Sequence, residues 1–331
     1  MPAALDAIAG QVGRLNRYPD HALALVDRLA ERHGVGREAI LPGNGADALV
    51  GSICSAYLEP GDEVVLGWPS FVTYALDAVR CGAVPVRVPL AGGACDLGSM
   101  ADRVGERTRL VFVCNPNNPT GGIVHATDLA RFLDRIPPHV LVVVDEAYHE
   151  YVFDPSYPDA ITEHVDRRPN VAVLRTFSKL FGLAGLRVGY MVAAEPVVEV
   201  VGRCRHWFDV TDLGHLAAAA SLDDGAEVER RRERNAAGRA ALAAILERAG
   251  MRPGPAHGNF VYVEVGDGVE LASRLAEHGV LVRSLEQFGA ATAIRITVGS
   301  AEAHDALANG IRELGAPRGR VAGREDRLGH E

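Results

Sequence analysis

Five apolar residues in a row, Val140-Leu141-Val142-Val143-Val144, run straight into Asp145-Glu146. A strand with no polar alternation is buried on both faces, so the sheet that holds it must be covered by helices on both sides. Similar short β-rich runs recur at 63–66, 84–88, 110–114, 171–174 and 188–192. Helical stretches fall between them, at 46–56, 71–79 and 128–135. The alternation predicts an α/β fold with a mostly parallel sheet. Residues 39–41 are too short a run to count as a first strand.

The pattern changes after about residue 205. A long helix rich in Arg, Glu and Ala is predicted over 227–249. Strands at 259–265, 280–283 and 293–298 follow, with a helix over 269–278. That describes a smaller α+β domain. The expected division is an N-terminal segment 1–35, a large domain 36–205, a small domain 206–316 and a disordered tail 317–331, which has no apolar periodicity. A length of 331 residues with 48% hydrophobic content supports two lobes.

Charge and composition narrow the partners. A net charge of −9 argues against nucleic acid and against a basic membrane-surface role. No apolar run approaches the length of a spanning helix, and residues 1–10 lack a basic start followed by an apolar block. Five cysteines, odd in number and without metal-ligand spacing, read as reduced thiols. The expectation is a cytoplasmic protein that acts on small molecules and holds no metal.

Of 34 basic residues, one is a lysine, Lys179. A compositional bias toward arginine explains the other positions but not this one. Arginine neither loses its proton in a protein nor forms an imine, whereas a desolvated lysine does both. Lys179 sits in Thr176-Phe177-Ser178-Lys179, just past a predicted strand. Ligands bind at the carboxyl ends of strands in open α/β sheets. Two hydroxyls, Thr176 and Ser178, and the guanidinium of Arg187 suit a phosphate there; a turn cap and a surface arginine are the plainer reading.

Three more segments lie at predicted strand ends or a helix start. Asp145-Glu146-Ala147-Tyr148 follows the apolar run, where a buried carboxylate needs a cationic partner or caps the next helix. A protonated ring nitrogen of a cofactor is such a cation, with Tyr148 as donor to a ring oxygen. Asn115-Pro116-Asn117-Asn118-Pro119-Thr120-Gly121-Gly122 fixes an irregular loop that brings Asn118 within reach of a ligand. Gly43-Asn44-Gly45-Ala46-Asp47-Ala48 opens a helix whose amides favour an anion. Its spacing also fits a Gly-x-Gly-x-x-Ala dinucleotide fingerprint, but Pro42 and the short preceding run speak against a first Rossmann strand.

Taken in order, Arg17-Tyr18-Pro19, Gly45-Ala46-Asp47, Asn117-Asn118-Pro119-Thr120-Gly121, Asp145-Glu146-Ala147-Tyr148, Ser178-Lys179, Arg187 and Arg295-Ile296-Thr297-Val298-Gly299 resemble the fold-type I pyridoxal-phosphate aminotransferases. Within them the chain is most similar to the histidinol-phosphate and aromatic aminotransferase branch, over residues 16–314. The resemblance implies pyridoxal 5'-phosphate as cofactor, with Lys179 holding it as an imine and moving the substrate proton. It implies Asp145 at the ring nitrogen, Asn118 and Tyr148 at the ring oxygen, and Phe71, or alternatively Tyr74, stacked on the ring. Gly45, Ala46, Asp47, Thr176, Ser178 and Arg187 would cradle the phosphate. Tyr18 would join them from the neighbouring subunit of a homodimer. Arg295, helped by Arg283, would bind the substrate's anionic end.

The implied reaction moves an amino group from a donor such as glutamate to a keto acid or imidazole-acetol phosphate. Aromatic transamination, or decarboxylation or oxidation at Cα, are the alternatives. A catalytically silent subunit and a nicotinamide dehydrogenase come from other classes. Two departures stand out. The family's N-terminal arm is expected before this point, so either the start is assigned late or the arm is missing. Residues 205–212 carry Trp207, Asp209 and Thr211 where the family places proline and asparagines.

Overall fold

A computed structural model describes residues 1–20 and 22–315, so the tail expected at 317–331 lies outside the described residues. The large sheet has seven strands: β1 (Ile40–Gly43), β2 (Glu63–Trp68), β3 (Val84–Pro89), β4 (Thr108–Cys114), β5 (Leu141–Asp145), β6 (Val171–Thr176) and β7 (Gly189–Ala193). Their spatial order is β1-β7-β6-β5-β4-β2-β3. Neighbours from β3 to β6 are parallel, and β7 is antiparallel to both β6 and β1. The unbroken apolar run has a simple cause. Val142 and Val144 enter one core, while Leu141 and Val143 enter the core on the opposite face.

The strand β1 corrects the reading of 39–41. It is short, it contains Pro42, and it pairs only with β7 at the sheet's edge, where a missing proline N–H is tolerated. Parallel strands end on one edge of the sheet. Cys114 lies opposite Asp145, and Asp145 opposite Leu174, so the loops after β4, β5 and β6 emerge side by side. The reversed strand β7 begins at that same edge. Gly189 pairs with Thr176 on one side and Gly43 on the other. Arg187 and the start of the helix Gly45–Tyr57 are thereby delivered to the edge as well. At Gly189 a Cβ would sit 2.4 Å from the Ala46 backbone nitrogen, so only glycine lets the helix's first turn come so close.

The helices Pro2–Gln11 and Leu23–His33 pack on the helix Asp212–Leu222. Its buried Gly214, Ala217, Ala218 and Ala219 allow close approach. These helices contribute to the core of the large sheet. Ala217, Ala218 and Ala219 share the core of the large sheet, while Leu242 and Leu246 of the 24-residue helix Gly225–Arg248 belong to a separate core. Beyond it lies an antiparallel sheet of β8 (Phe260–Glu264), β9 (Arg283–Ser284) and β10 (Ala293–Thr297), in the order β8-β10-β9. Among the described residues no helix is long and apolar enough to cross a membrane.

Candidate active site

A cavity opens at the edge where β4, β5 and β6 end. Ala46 and Asp47 enter it from the helix Gly45–Tyr57, and Asn118 from the loop after β4. Asp145 and Tyr148 come from the end of β5, and Thr176, Ser178 and Lys179 from the end of β6. Arg187 and Phe71 complete the set expected to line it. Cys114 and Ala147 also form its wall. Neither was assigned a role from the sequence, although Ala147 lies within the Asp145–Tyr148 motif and Cys114 immediately precedes the Asn115 loop.

Four expected residues stand outside the lining. Gly45 adopts φ +79°, and a Cβ there would lie 2.6 Å from Arg187 Nη2, so its bare backbone is what lets the guanidinium cover the helix start. Tyr18 is 79% exposed and stacks on Phe208 with ring centres 4.5 Å apart. Arg295 reaches the cavity through Asn118, donating from Nη1 to its side-chain oxygen, and lies over the Phe260 ring. Arg283 is the cross-strand neighbour of Arg295 and donates to Gln287 at 3.0 Å. Tyr74, the alternative stacking ring, is fully buried behind the wall and stacks on Phe112 at 4.5 Å. Phe71 is the aromatic residue that faces the cavity.

The backbone around Lys179 is held by the neighbours that share its motif. The Thr176 hydroxyl donates to the Val188 carbonyl at 3.2 Å and accepts from the Ser178 amide at 3.1 Å. Arg187 takes a left-handed backbone, φ +54°, which is rare for a non-glycine residue and typical of functional sites. Lys179 Nζ sits 5.2 Å from the centre of the Tyr148 ring. Tyr148 is itself buried edge-on against Phe260.

The charges are the informative part. Asp145 is 4% exposed. One oxygen accepts from the Tyr74 hydroxyl at 2.5 Å and the other from the Ala147 amide at 3.0 Å. Neither donor is charged, and among the described residues no ion pair includes Asp145. Burial pushes its carboxyl up, against the pull of Tyr74, the Ala147 amide and Lys179. Arg295 is the mirror case. Burial lowers its affinity for its proton, and the like charge of Arg283 works in the same direction. Its Nε is buried with no partner among the described residues. Among the described residues neither Asp145, which shares the cavity with Lys179, nor Arg295, which reaches that cavity through Asn118, has an ion-pair partner.

Directly beneath, a second buried cluster is closed. Glu146 Oε2 accepts from Arg175 Nε and Nη2 at 2.8 and 2.7 Å, and its Oε1 accepts from the Ala160 amide at 3.1 Å. Arg175 Nη2 also donates to Asp159 at 2.7 Å. Burial opposes the charge on Arg175, but Glu146 and Asp159 hold its proton well above the usual range.

Comparison with known proteins now decides the chemistry. The profile of the aminotransferase class I and II family matches residues 1–311. The chain belongs to that family. The aminotransferase is 41% identical over 315 residues to a histidinol-phosphate aminotransferase of Geobacillus thermodenitrificans, covering 95% of the chain and 86% of that protein. It is 43% identical over 309 residues to an aromatic amino acid aminotransferase of Thermobifida fusca, covering 93% and 85%. The crystal structure of histidinol-phosphate aminotransferase from Sinorhizobium meliloti, in complex with pyridoxal-5'-phosphate, matches with a TM-score of 0.87 and 30% identity. It covers 95% of the aminotransferase and 88% of that chain. The aminotransferase is a transaminase that works through pyridoxal 5'-phosphate.

Proposed function

We propose that the cavity at the ends of β4–β6 is the site of a histidinol-phosphate type transamination, with glutamate as the amino donor. The observation that carries this reading is a buried carboxylate without an ion-pair partner, Asp145, in the cavity that holds Lys179, with Arg295, likewise unpaired among the described residues, reaching that cavity through Asn118. The donor set fits the cofactor. Asp145 is a buried carboxylate lacking a cation, as a protonated ring nitrogen requires. The first amides of the helix Gly45–Tyr57, with Thr176, Ser178 and Arg187, suit a phosphate.

When bound, pyridoxal 5'-phosphate supplies an aldehyde that captures amines and a protonated ring that draws electrons from the substrate Cα. Lys179 provides the amine that holds it and then takes and returns the proton at the substrate Cα. Asp145 keeps the ring nitrogen protonated. Asn118 and Tyr148 orient the ring through its oxygen, and Phe71 covers its face. Gly45 leaves room for Arg187 over the phosphate cradle, which Ala46 and Asp47 begin. Arg295 and Arg283, opposite one another across two strands, bind the anionic end of the substrate, and a phosphate dianion uses both guanidiniums.

Borohydride reduction followed by denaturation tests Lys179. Wild type keeps the cofactor covalently, Lys179→Ala loses it, and turnover falls at least about a thousandfold. A Lys179→Ala enzyme that still turns over removes the assignment. The substrate is tested by kcat/KM with 2-oxoglutarate, comparing histidinol phosphate with phenylalanine and tyrosine. A higher value for histidinol phosphate is expected. The reverse favours the aromatic reading, which the Thermobifida fusca relative supports and in which the two arginines take a carboxylate.

Two finer points belong to the same reading. The enzyme is a homodimer in which Tyr18 of the partner subunit reaches the phosphate. The support is its 79% exposure, together with the exposure of Trp207 (83%) and Leu15 (63%). A single-chain mass in sedimentation at assay concentration contradicts it. The reaction is cytoplasmic, a reading supported by five unpaired thiols; activity recovered outside the soluble cell fraction contradicts that.

A further inference from the structure

We propose that Tyr74 is a positioning residue for the reaction: its buried hydroxyl fixes and tunes the Asp145 carboxylate toward the cofactor's ring nitrogen. The inference rests on the role given to Asp145 above.

Tyr74 opens the helix Thr73–Arg80 and has no exposed surface. Its ring lies parallel to Phe112 of β4, 4.5 Å away with 7° between planes. Phe71 meets it edge-on at 5.5 Å and faces the cavity on its other side. The phenol is thus clamped in one rotamer, and it ends 2.5 Å from Asp145 Oδ2. Oδ1 accepts from the Ala147 amide. Each carboxylate oxygen has one donor, and Tyr74 is the one side-chain donor among the described residues.

The choice of a phenol has chemical content. A lysine or arginine at this position would neutralise Asp145 and compete with the ring nitrogen for it. A phenylalanine would leave one buried oxygen without a donor. A neutral hydroxyl stabilises the ionised form and fixes its orientation while leaving the charge uncompensated. The phenol also keeps its proton at any working pH. Burial first, and then the Asp145 charge, push its pKa well up.

Tyr74→Phe in the full chain keeps the ring and both aromatic contacts. Cofactor titration of the resolved protein should show roughly tenfold weaker binding, the size of one charge-assisted hydrogen bond. The pH midpoint of the bound cofactor's visible absorption should also move. Asp145→Asn alone should weaken binding and move the same midpoint. Tyr74→Phe added to it should then change little, because the two act as one unit. Phe112→Leu loosens the stack without touching the hydroxyl and should leave the midpoint in place.

Unchanged binding and midpoint in Tyr74→Phe overturn the inference. So does an equal tenfold loss in both backgrounds, or a midpoint shift of the same size in Phe112→Leu, since each marks a packing role. If Asp145→Asn itself leaves both readouts unchanged, the role of Asp145 fails and takes this inference with it.

Discussion

Asp145 and Glu146 follow one another at the end of β5, and both are almost completely removed from solvent. Glu146 meets Arg175, which donates to it twice and also holds Asp159. Its charge is answered inside the chain. Asp145 meets a phenol and an amide, and its charge is not. The cost of burying an ion is high unless a counter-ion accompanies it. A closed pair therefore reads as architecture, and a carboxylate buried without a counter-ion reads as a site awaiting a cation from outside the chain. Two adjacent residues of the same chemical type separate into structure and function by what faces them.

The largest effect that sharpens this contrast is on stability. Glu146→Gln takes one of two counter-charges from a buried arginine, leaving Asp159, and should cost up to about 3 kcal/mol. Thermal unfolding should show a Tm lower by several degrees, with kcat per folded molecule little changed. Asp145→Asn should do the reverse. Apoprotein Tm should hold or rise, because an uncompensated buried charge is gone, while kcat falls at least about a hundredfold. Equal destabilisation by the two substitutions erases the distinction.

The next effect belongs to the open cation. Among the described residues Arg295 has a buried Nε without a partner; it donates to the neutral Asn118 side chain and lies over the Phe260 ring. Arg295→Gln should raise KM for the anionic substrate by about tenfold or more. Cofactor affinity should stay as in wild type. A variant whose cofactor affinity falls in step with KM places Arg295 with the cofactor group and not with substrate.

How far all this was legible in the sequence follows from what each signal depends on. The apolar run 140–144 reports burial on both faces by itself, and the parallel sheet follows from it. The motif residues of the cavity are legible because they sit in loops at strand ends, which parallel strands bring to one edge. Four of the expected residues, Gly45, Tyr18, Arg283 and Arg295, stand outside the lining: Gly45 has no side chain to project, Tyr18 stacks on Phe208, and Arg283 and Arg295 stand on β9 and β10 of the second sheet. Edge strand β1 was hidden because four residues with a proline carry little periodicity. The closed pair was hidden because nothing local marks Arg175 as buried. The role of Tyr74 was hidden for a related reason. Its position three residues after Phe71 places both near the cavity, but only the stack on Phe112 decides which ring faces inward.

The smallest effect is the cofactor dependence of Asp145's contribution to stability. Burial raises its folded pKa above the unfolded value near 3.8. A carboxyl raised on folding binds a proton more tightly in the folded state, so it supports folding while protonated. That support is present below the unfolded pKa and is lost as pH rises through the folded one. Apoprotein Tm for wild type should therefore fall relative to Asp145→Asn as pH climbs from about 4. Saturating pyridoxal 5'-phosphate supplies the missing cation and should reverse the order, with wild type the more stable. No such cofactor-dependent reversal is expected for Glu146→Gln, because Arg175 faces Glu146 with or without ligand. A difference between wild type and Asp145→Asn that ignores both pH and cofactor would mean that Asp145, too, is answered within the chain.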